Sequence, residues 1–414
     1  MRLKMWILGL IVCLLFVFAG DVFSQAPVKR QTKQNAQKSQ KATKAKHVQY
    51  YRDAEVISQS EAEKARPARN EALNELEAQK QCDAEGRKQD DLKIIDGKFI
   101  FYDNVKYEII SFSSNQLKVV DADKMLVQYE VPEKIAIEGK DYHVTGIGDQ
   151  AFYGCKSLSR VTLSNSVTFI GMSAFAYCDG IKSLEIPNSV TSIGASAFHT
   201  CSSLSYIKLP QFITSIGAAV FYECLSLTDV EIPSSVTSIG ISAFAYCEAL
   251  KDIKIPNSVT SIGESAFYSC YSLTSVALPT ELKTIENKTF YSCSSLMSMM
   301  IPSSVTLVGA SAFAYCSAMR KIEIPDSVTS IGEGAFNSCT SLKEFILPNF
   351  ISVIRKETFY KCTSLERVRI PGSVSRIDAL AFGFCNALKN VEIPKSVKSI
   401  VKDAFPKNCK KKRI

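Results

Sequence analysis

Ile232-Pro-Ser-Ser-Val-Thr-Ser-Ile-Gly-Ile-Ser-Ala-Phe-Ala-Tyr-Cys-Glu-Ala-Leu-Lys-Asp-Ile-Lys254 is one unit of a pattern that returns every 23 residues. Phenylalanine stands at 152, 175, 198, 221, 244, 267, 290, 313, 336, 359, 382 and 405, always one period apart. Cysteine keeps the same step from Cys155 to Cys385, through Cys178, Cys201, Cys224, Cys247 and Cys270, and Cys409 misses it by one position. Proline keeps it from Pro187 to Pro394. Registers of this length mark an internal repeat, and a period of this size belongs to solenoids and related arrays.

Within the unit, Val230-x-Ile232 alternates as a strand does. Pro233 ends it, having no N–H to donate. Val236 to Ile239 is a second short β segment closed by Gly240, and Ser242 to Cys247 is expected to form one helical or 3-10 turn. Burying about six apolar side chains cannot offset the backbone entropy of ordering the whole unit. Units must therefore stack, sharing apolar faces and pairing strand N–H and C=O groups between coils. The expected fold class is a β-rich solenoid of about twelve units, counted by the phenylalanines, with short parallel strands.

The consensus Leu-x-x-Val-x-Ile-Pro-x-Ser-Val-Thr-Ser-Ile-Gly-x-x-Ala-Phe-x-x-Cys, running from 132 to 409, resembles the leucine-rich repeat of bacterial surface proteins of the BspA-like family. The segment ahead of it, Phe101-Tyr-Asp-Asn-Val-Lys-Tyr-Glu-Ile-Ile and then Val131 to Gly148, is similar to that family's N-terminal β cap, with Glu138 to Asp141 as a hairpin turn. A cap covers the apolar surface and open edge of the first coil. The familiar leucine-rich pattern places Asn near the end of the strand. Here Ser stands there (Ser166, Ser235, Ser304), and Phe212 and Phe350 replace it in two coils, so the Asn ladder is not carried over. The resemblance implies a surface or secreted protein that binds host matrix proteins or other cells, and no enzyme. A passive envelope spacer is the alternative.

Residues 1–24 have the layout of a secretory signal peptide: basic Arg2 and Lys4, an uncharged run from Trp6 to Ala19, then small residues before Gln25. Cys13 lies inside the apolar run and does not close it, as a lipidated cysteine should. Residues 25–92 read as a linker, polar and basic to Lys46 and helix-favouring from Ala68 to Ala84. The cap is placed at 93–143, the solenoid at 144–409 and a basic tail at 410–414. An exported product, extracellular or on the cell surface, is expected, with no membrane span in the mature chain.

The formal charge of +8 sits at the ends, since residues 25–46 and 410–413 are basic while 93–409 sums to zero. A neutral body leaves no footprint for nucleic acid. The cysteine ladder invites a metal or disulfide reading. Zinc, however, needs ligands converging on a point, whereas successive coils set these sulfurs in line. Parallel side chains about 4.8 Å apart also exceed the ~3.8 Å between Cβ atoms that a bridge prefers. Buried free thiols filling the core are expected instead, with no metal and no cofactor. His47, His143 and His199 have no Cys or Ser partner at a distinctive spacing, so catalysis finds no footing.

Function is sought at the variable outward strand positions: Thr162, Glu185, Lys208, Glu231, Lys254, Ala277, Met300, Glu323, Ile346, Arg369 and Glu392. Charge alternates from Glu185 to Lys254, which suggests pairing between neighbouring strands. Ala277, Met300 and Ile346 interrupt it with apolar groups that can nucleate a partner contact. The partner expected is an extracellular protein or cell-surface ligand, met by a monomer. Tyr177, Tyr222, Tyr246, Tyr268, Tyr291, Tyr315 and Tyr360 form a further stripe, read as half-buried packing on the turn side. A second period overlies the first: Ala-Tyr-Cys recurs at 176–178, 245–247 and 314–316, and Leu-Pro replaces Ile-Pro at 209, 278 and 347, every 69 residues. A block of three coils was duplicated.

Overall fold

The structure, a computed structural model, describes residues 92–95 and 97–414. The expected signal peptide and the expected linker up to residue 91 lie outside the described residues.

Strand alternation builds the cap. Strands β1 (Lys93–Ile95), β2 (Phe99–Tyr102), β3 (Val105–Ser111) and β4 (Gln116–Ala122) follow one another antiparallel. In β3, Val105, Tyr107 and Ile109 are buried, with Lys106 and Glu108 between them on the wetter face. Asp103 and Asn104, at φ 51° and 59°, turn β2 into β3. Positive φ at both central residues gives a tight turn the twist that flanking strands require. After β5 (Gln128–Glu130) come β6 (Lys134–Ile137) and β7 (Lys140–Ile147), antiparallel across Glu138 and Gly139, so the expected hairpin is present. β7 lies parallel to β4 on one side and to Phe169–Ile170 on the other. The border expected at 143–144 therefore falls inside β7, and the cap sheet continues into the solenoid.

Three ladders hold the coils together. The first stacks three-residue strands in parallel and in register, as in Ser183–Glu185, Tyr206–Lys208 and Asp229–Glu231, each with its central residue turned inward. The second stacks two-residue strands such as Ser215–Ile216, Ser238–Ile239 and Ser261–Ile262, with the isoleucines in the core.

The third ladder replaces the expected helical turn. Each coil but the last sets two residues in the left-handed region, Ser242 (φ 52°) and Tyr246 (φ 60°) in this unit. A right-handed helix cannot run through such residues. The backbone N–H groups then divide alternately. Those of Ala243, Ala245 and Cys247 close turns inside the coil, while those of Ser242, Phe244 and Tyr246 donate to Glu264, Ala266 and Tyr268 of the next coil. Turn residues thereby satisfy their backbone groups as strands do.

The phenylalanines stack in line behind this ladder. Phe175, Phe198, Phe221, Phe244 and Phe267 are fully buried, with ring centroids 5.3–5.8 Å apart and planes within 22° of parallel. Residues 410–414, expected as a separate tail, supply the last strand instead: Lys410–Arg413 pairs in parallel with Asn390–Ile393. The final coil lacks the Leu-x-x segment after Cys409, so its strand arrives early and escaped the 23-residue step.

Candidate binding faces of the solenoid

The cysteines occupy the core behind the turn ladder as free, buried thiols. From Cys178 to Cys385 each thiol donates to the carbonyl of the phenylalanine one coil back: Cys178 Sγ to Phe152 O at 3.1 Å, Cys201 to Phe175 at 3.1 Å, Cys224 to Phe198 at 3.2 Å, Cys247 to Phe221 at 3.2 Å and Cys270 to Phe244 at 3.1 Å. Burial pushes these thiols up, Cys270 to about 12. They remain protonated and unreactive, because the thiolate is the nucleophile and the metal ligand. Among the described residues no group of His, Cys, Asp and Glu is arranged to hold a metal ion.

A serine ladder, undetected in the sequence, does the work of the missing Asn. Ser166, Ser235, Ser258, Ser304, Ser327 and Ser373 each donate Oγ to the carbonyl 22 residues back, at 2.6–2.8 Å. Phe212, Glu281 and Phe350 interrupt it at every third coil and carry no hydroxyl, and Ser189 and Ser396, in the same register, make no such bond.

The outward strand positions form a single column. The parallel register brings Glu185, Lys208 and Glu231 side by side, then Lys254 beside Ala277, Met300 beside Glu323, and Ile346 beside Arg369. The pairing expected from alternating charge is partial. Lys208 reaches Glu185 at 3.8 Å, whereas Glu231 and Lys254 have no ion pair. Such exposed pairs contribute only about 0–1 kcal/mol. Met300 is 71% exposed and Ile346 63%.

The tyrosine stripe is a continuous file of rings. Tyr153, Tyr177, His199, Tyr222, Tyr246, Tyr268, Tyr291 and Tyr315 follow one another with centroids 4.7–5.4 Å apart, one ring per coil. Asn337 breaks the file, and Tyr360 and Phe384 resume it at 5.3 Å. His199 takes a tyrosine's place in this file. Its place two residues before Cys201, matching Tyr222 before Cys224, was the available signal.

Burial pulls His199 down to about 4, so the ring is neutral in the fold at ordinary pH. An unfolded histidine takes up its proton near 6.5. The unfolded chain therefore binds more protons between these values, and stability falls as pH drops from about 6.5 towards 4. A loss of about 3 kcal/mol by pH 4 is expected. Urea unfolding of the wild type and of His199→Phe at pH 7 and pH 4 checks this. The substitution should remove that part of the pH dependence; an unchanged dependence would assign it to other groups.

Among the described residues no helix is long and apolar enough to cross a membrane. In-register parallel coils of one short repeat define a leucine-rich repeat solenoid. The family model described as the BspA type leucine-rich repeat region (6 copies) matches residues 133–247, 214–323 and 306–414. The chain belongs to that family. Solved structures similar to it include a leucine-rich cell surface protein from Faecalibacterium prausnitzii A2-165, 27% identical, covering 73% of this chain and 94% of that one, with TM-score 0.46. A leucine-rich repeat protein from Bacteroides ovatus is 26% identical over 76% of this chain and 99% of its own, with TM-score 0.40. The T. pallidum leucine-rich repeat protein is 28% identical over 58% and 88%, with TM-score 0.36. No curated protein matches the chain.

Proposed function

We propose that the chain is an exported surface protein that binds a protein ligand through its outward strand column, as an adhesin would, with no covalent chemistry. The observation that carries this reading is the pair Met300 and Ile346. Both are large, apolar and exposed in a column otherwise built of charged and small side chains. Apolar groups raised on a polar face are the usual anchors of protein contacts. Lys208, Glu231, Lys254, Glu323 and Arg369 flank them and supply the charged rim that orients a partner, with Ala277 leaving room beside Met300. The belonging to a leucine-rich repeat family supports protein binding as the general role.

The test is a matrix-protein and cell-surface protein array probed with the full chain. Saturable binding is expected, weakened at least about tenfold in Met300→Glu/Ile346→Glu, since a buried anchor is worth about 1–2 kcal/mol or more. Binding unaffected by the double substitution would move the site off this column. No binding at all would favour a passive spacer.

A further inference from the structure

The file of aromatic rings on the turn side carries more than packing. Two pairs of its members stack along the solenoid axis. Tyr268 and Tyr291 are within 2° of parallel at 4.7 Å, and His199 and Tyr222 within 15° at 4.7 Å. Every third coil departs from this. Tyr177, Tyr246, Tyr315 and Phe384 stand one residue before the cysteine, where the other rings stand two before it. Tyr246 is turned 66° and 53° from its neighbours, Tyr315 54° and Phe384 82°. A ring turned this far from the axial stack presents part of its face sideways, and Tyr315 is 45% and Phe384 53% exposed.

The backbone does not ask for a ring there. The position before the cysteine is left-handed in every such coil, and Glu223 (φ 56°), Ser269 (φ 56°) and Ser292 (φ 58°) occupy it elsewhere. Tyr177, Tyr246, Tyr315 and Phe384 adopt the same conformation at φ 60–62°, in a region bulky residues seldom enter. What distinguishes these coils is the ring they present.

Fixed hydrogen-bond acceptors stand beside the platforms. Ser202 Oγ donates to Asp179 Oδ1 at 3.0 Å, and Thr200 Oγ1 to Glu223 Oε2 at 3.2 Å, so hydroxyls from the adjoining coil hold both carboxylates in place. Glu248 follows Tyr246 by two residues and is exposed, and the half-buried Ser292 lies between the platforms. Acidic groups here disfavour a polyanion, and the body carries no net positive charge to attract one.

We propose that this face binds a linear, uncharged polysaccharide laid along the solenoid axis. Apolar faces of the sugar rings would rest on the turned aromatics, and their hydroxyls would donate to Asp179, Glu223 and Glu248. An extended pyranose chain advances about one coil per sugar, with coils about 4.8 Å apart. A chain with threefold screw symmetry offers the same face every third sugar. The platforms recur every third coil, or about 14 Å. The left-handed polyproline helix, also threefold, advances only about 9 Å per turn and falls out of step.

Soluble xylan, a neutral chain of this type, is the probe, in affinity electrophoresis of the full chain with heparin run in parallel. Retardation by xylan and none by heparin is expected. Tyr177→Ala/Tyr246→Ala/Tyr315→Ala should weaken xylan binding about 100-fold, with Tyr315→Ala alone, a surface change, giving a smaller loss in a protein of unaltered circular dichroism. Met300→Glu/Ile346→Glu should leave it intact, which separates this face from the strand column. The proposal is overturned by no retardation in xylan, by retardation the tyrosine variants do not reduce, by preference for heparin, or by a ladder that captures a protein from the array and no glycan.

Discussion

Phe244→Ala is expected to destabilise the solenoid by about 3–5 kcal/mol. The ring is fully buried, with one face against Phe221 at 5.3 Å and the other against Phe267 at 5.5 Å. Removing it opens a cavity bounded by two rings, and the three backbone ladders hold the coil spacing so that neighbours cannot collapse inward. Because each coil touches only its neighbours, the defect should also divide the array. Urea unfolding should become broader or biphasic, and hydrogen exchange should accelerate first in the coils around 221–267. Phe405→Ala provides the contrast. Phe405 is less completely buried, and Phe382 at 4.8 Å is its stacking partner, so a loss of about half that size is expected. Equal losses at both sites would mean that the stack contributes little beyond burial.

The second large effect concerns the corner glycines. A Cβ on Gly240 would lie 2.6 Å from the carbonyl carbon of Gly217 and 2.7 Å from the nitrogen of Ala218, both backbone atoms of the preceding coil. Neither can move without parting the ladders. Gly240→Ala should therefore lower stability by about 2–3 kcal/mol. On Gly217 the same methyl meets nothing nearer than Val220 Cγ2 at 3.5 Å. Gly217→Ala should be neutral or stabilising by up to about 1 kcal/mol, by restricting the unfolded chain. Chemical denaturation of the two variants side by side decides it, and similar outcomes would refute the steric account. Glu286, Arg355, Asp378 and Val401 fill this corner in other coils, so the close approach belongs to particular pairs of coils.

Spacing made the stacking legible. Phe152 to Phe405 and Cys155 to Cys385 dictate parallel coils in register, because only that arrangement brings each residue against its own kind. The turn conformation was hidden, since Ser242 and Tyr246 carry no mark of left-handed backbone and a compact apolar hexapeptide looks like a helical turn. The serine ladder was hidden for a related reason. Its hydroxyls reach a carbonyl on the adjoining coil, and that distance exists only once the coils are stacked. Along the outward column, alternation of sign alone could not tell the paired Glu185 and Lys208 from the unpaired Glu231 and Lys254. The turned rings at Tyr177, Tyr246 and Tyr315 were visible as tyrosines in a three-coil rhythm. Their tilt required coordinates.

All three ladders run along one axis, and this determines how the molecule answers to force. Tension applied end to end pulls directly against the hydrogen bonds between coils and loads them one interface at a time, from the termini inward. Each coil that yields frees 23 residues, which extend to about 75 Å where the folded coil spanned about 5 Å. The solenoid would lengthen stepwise under tension, dissipating work coil by coil while the remainder kept its register.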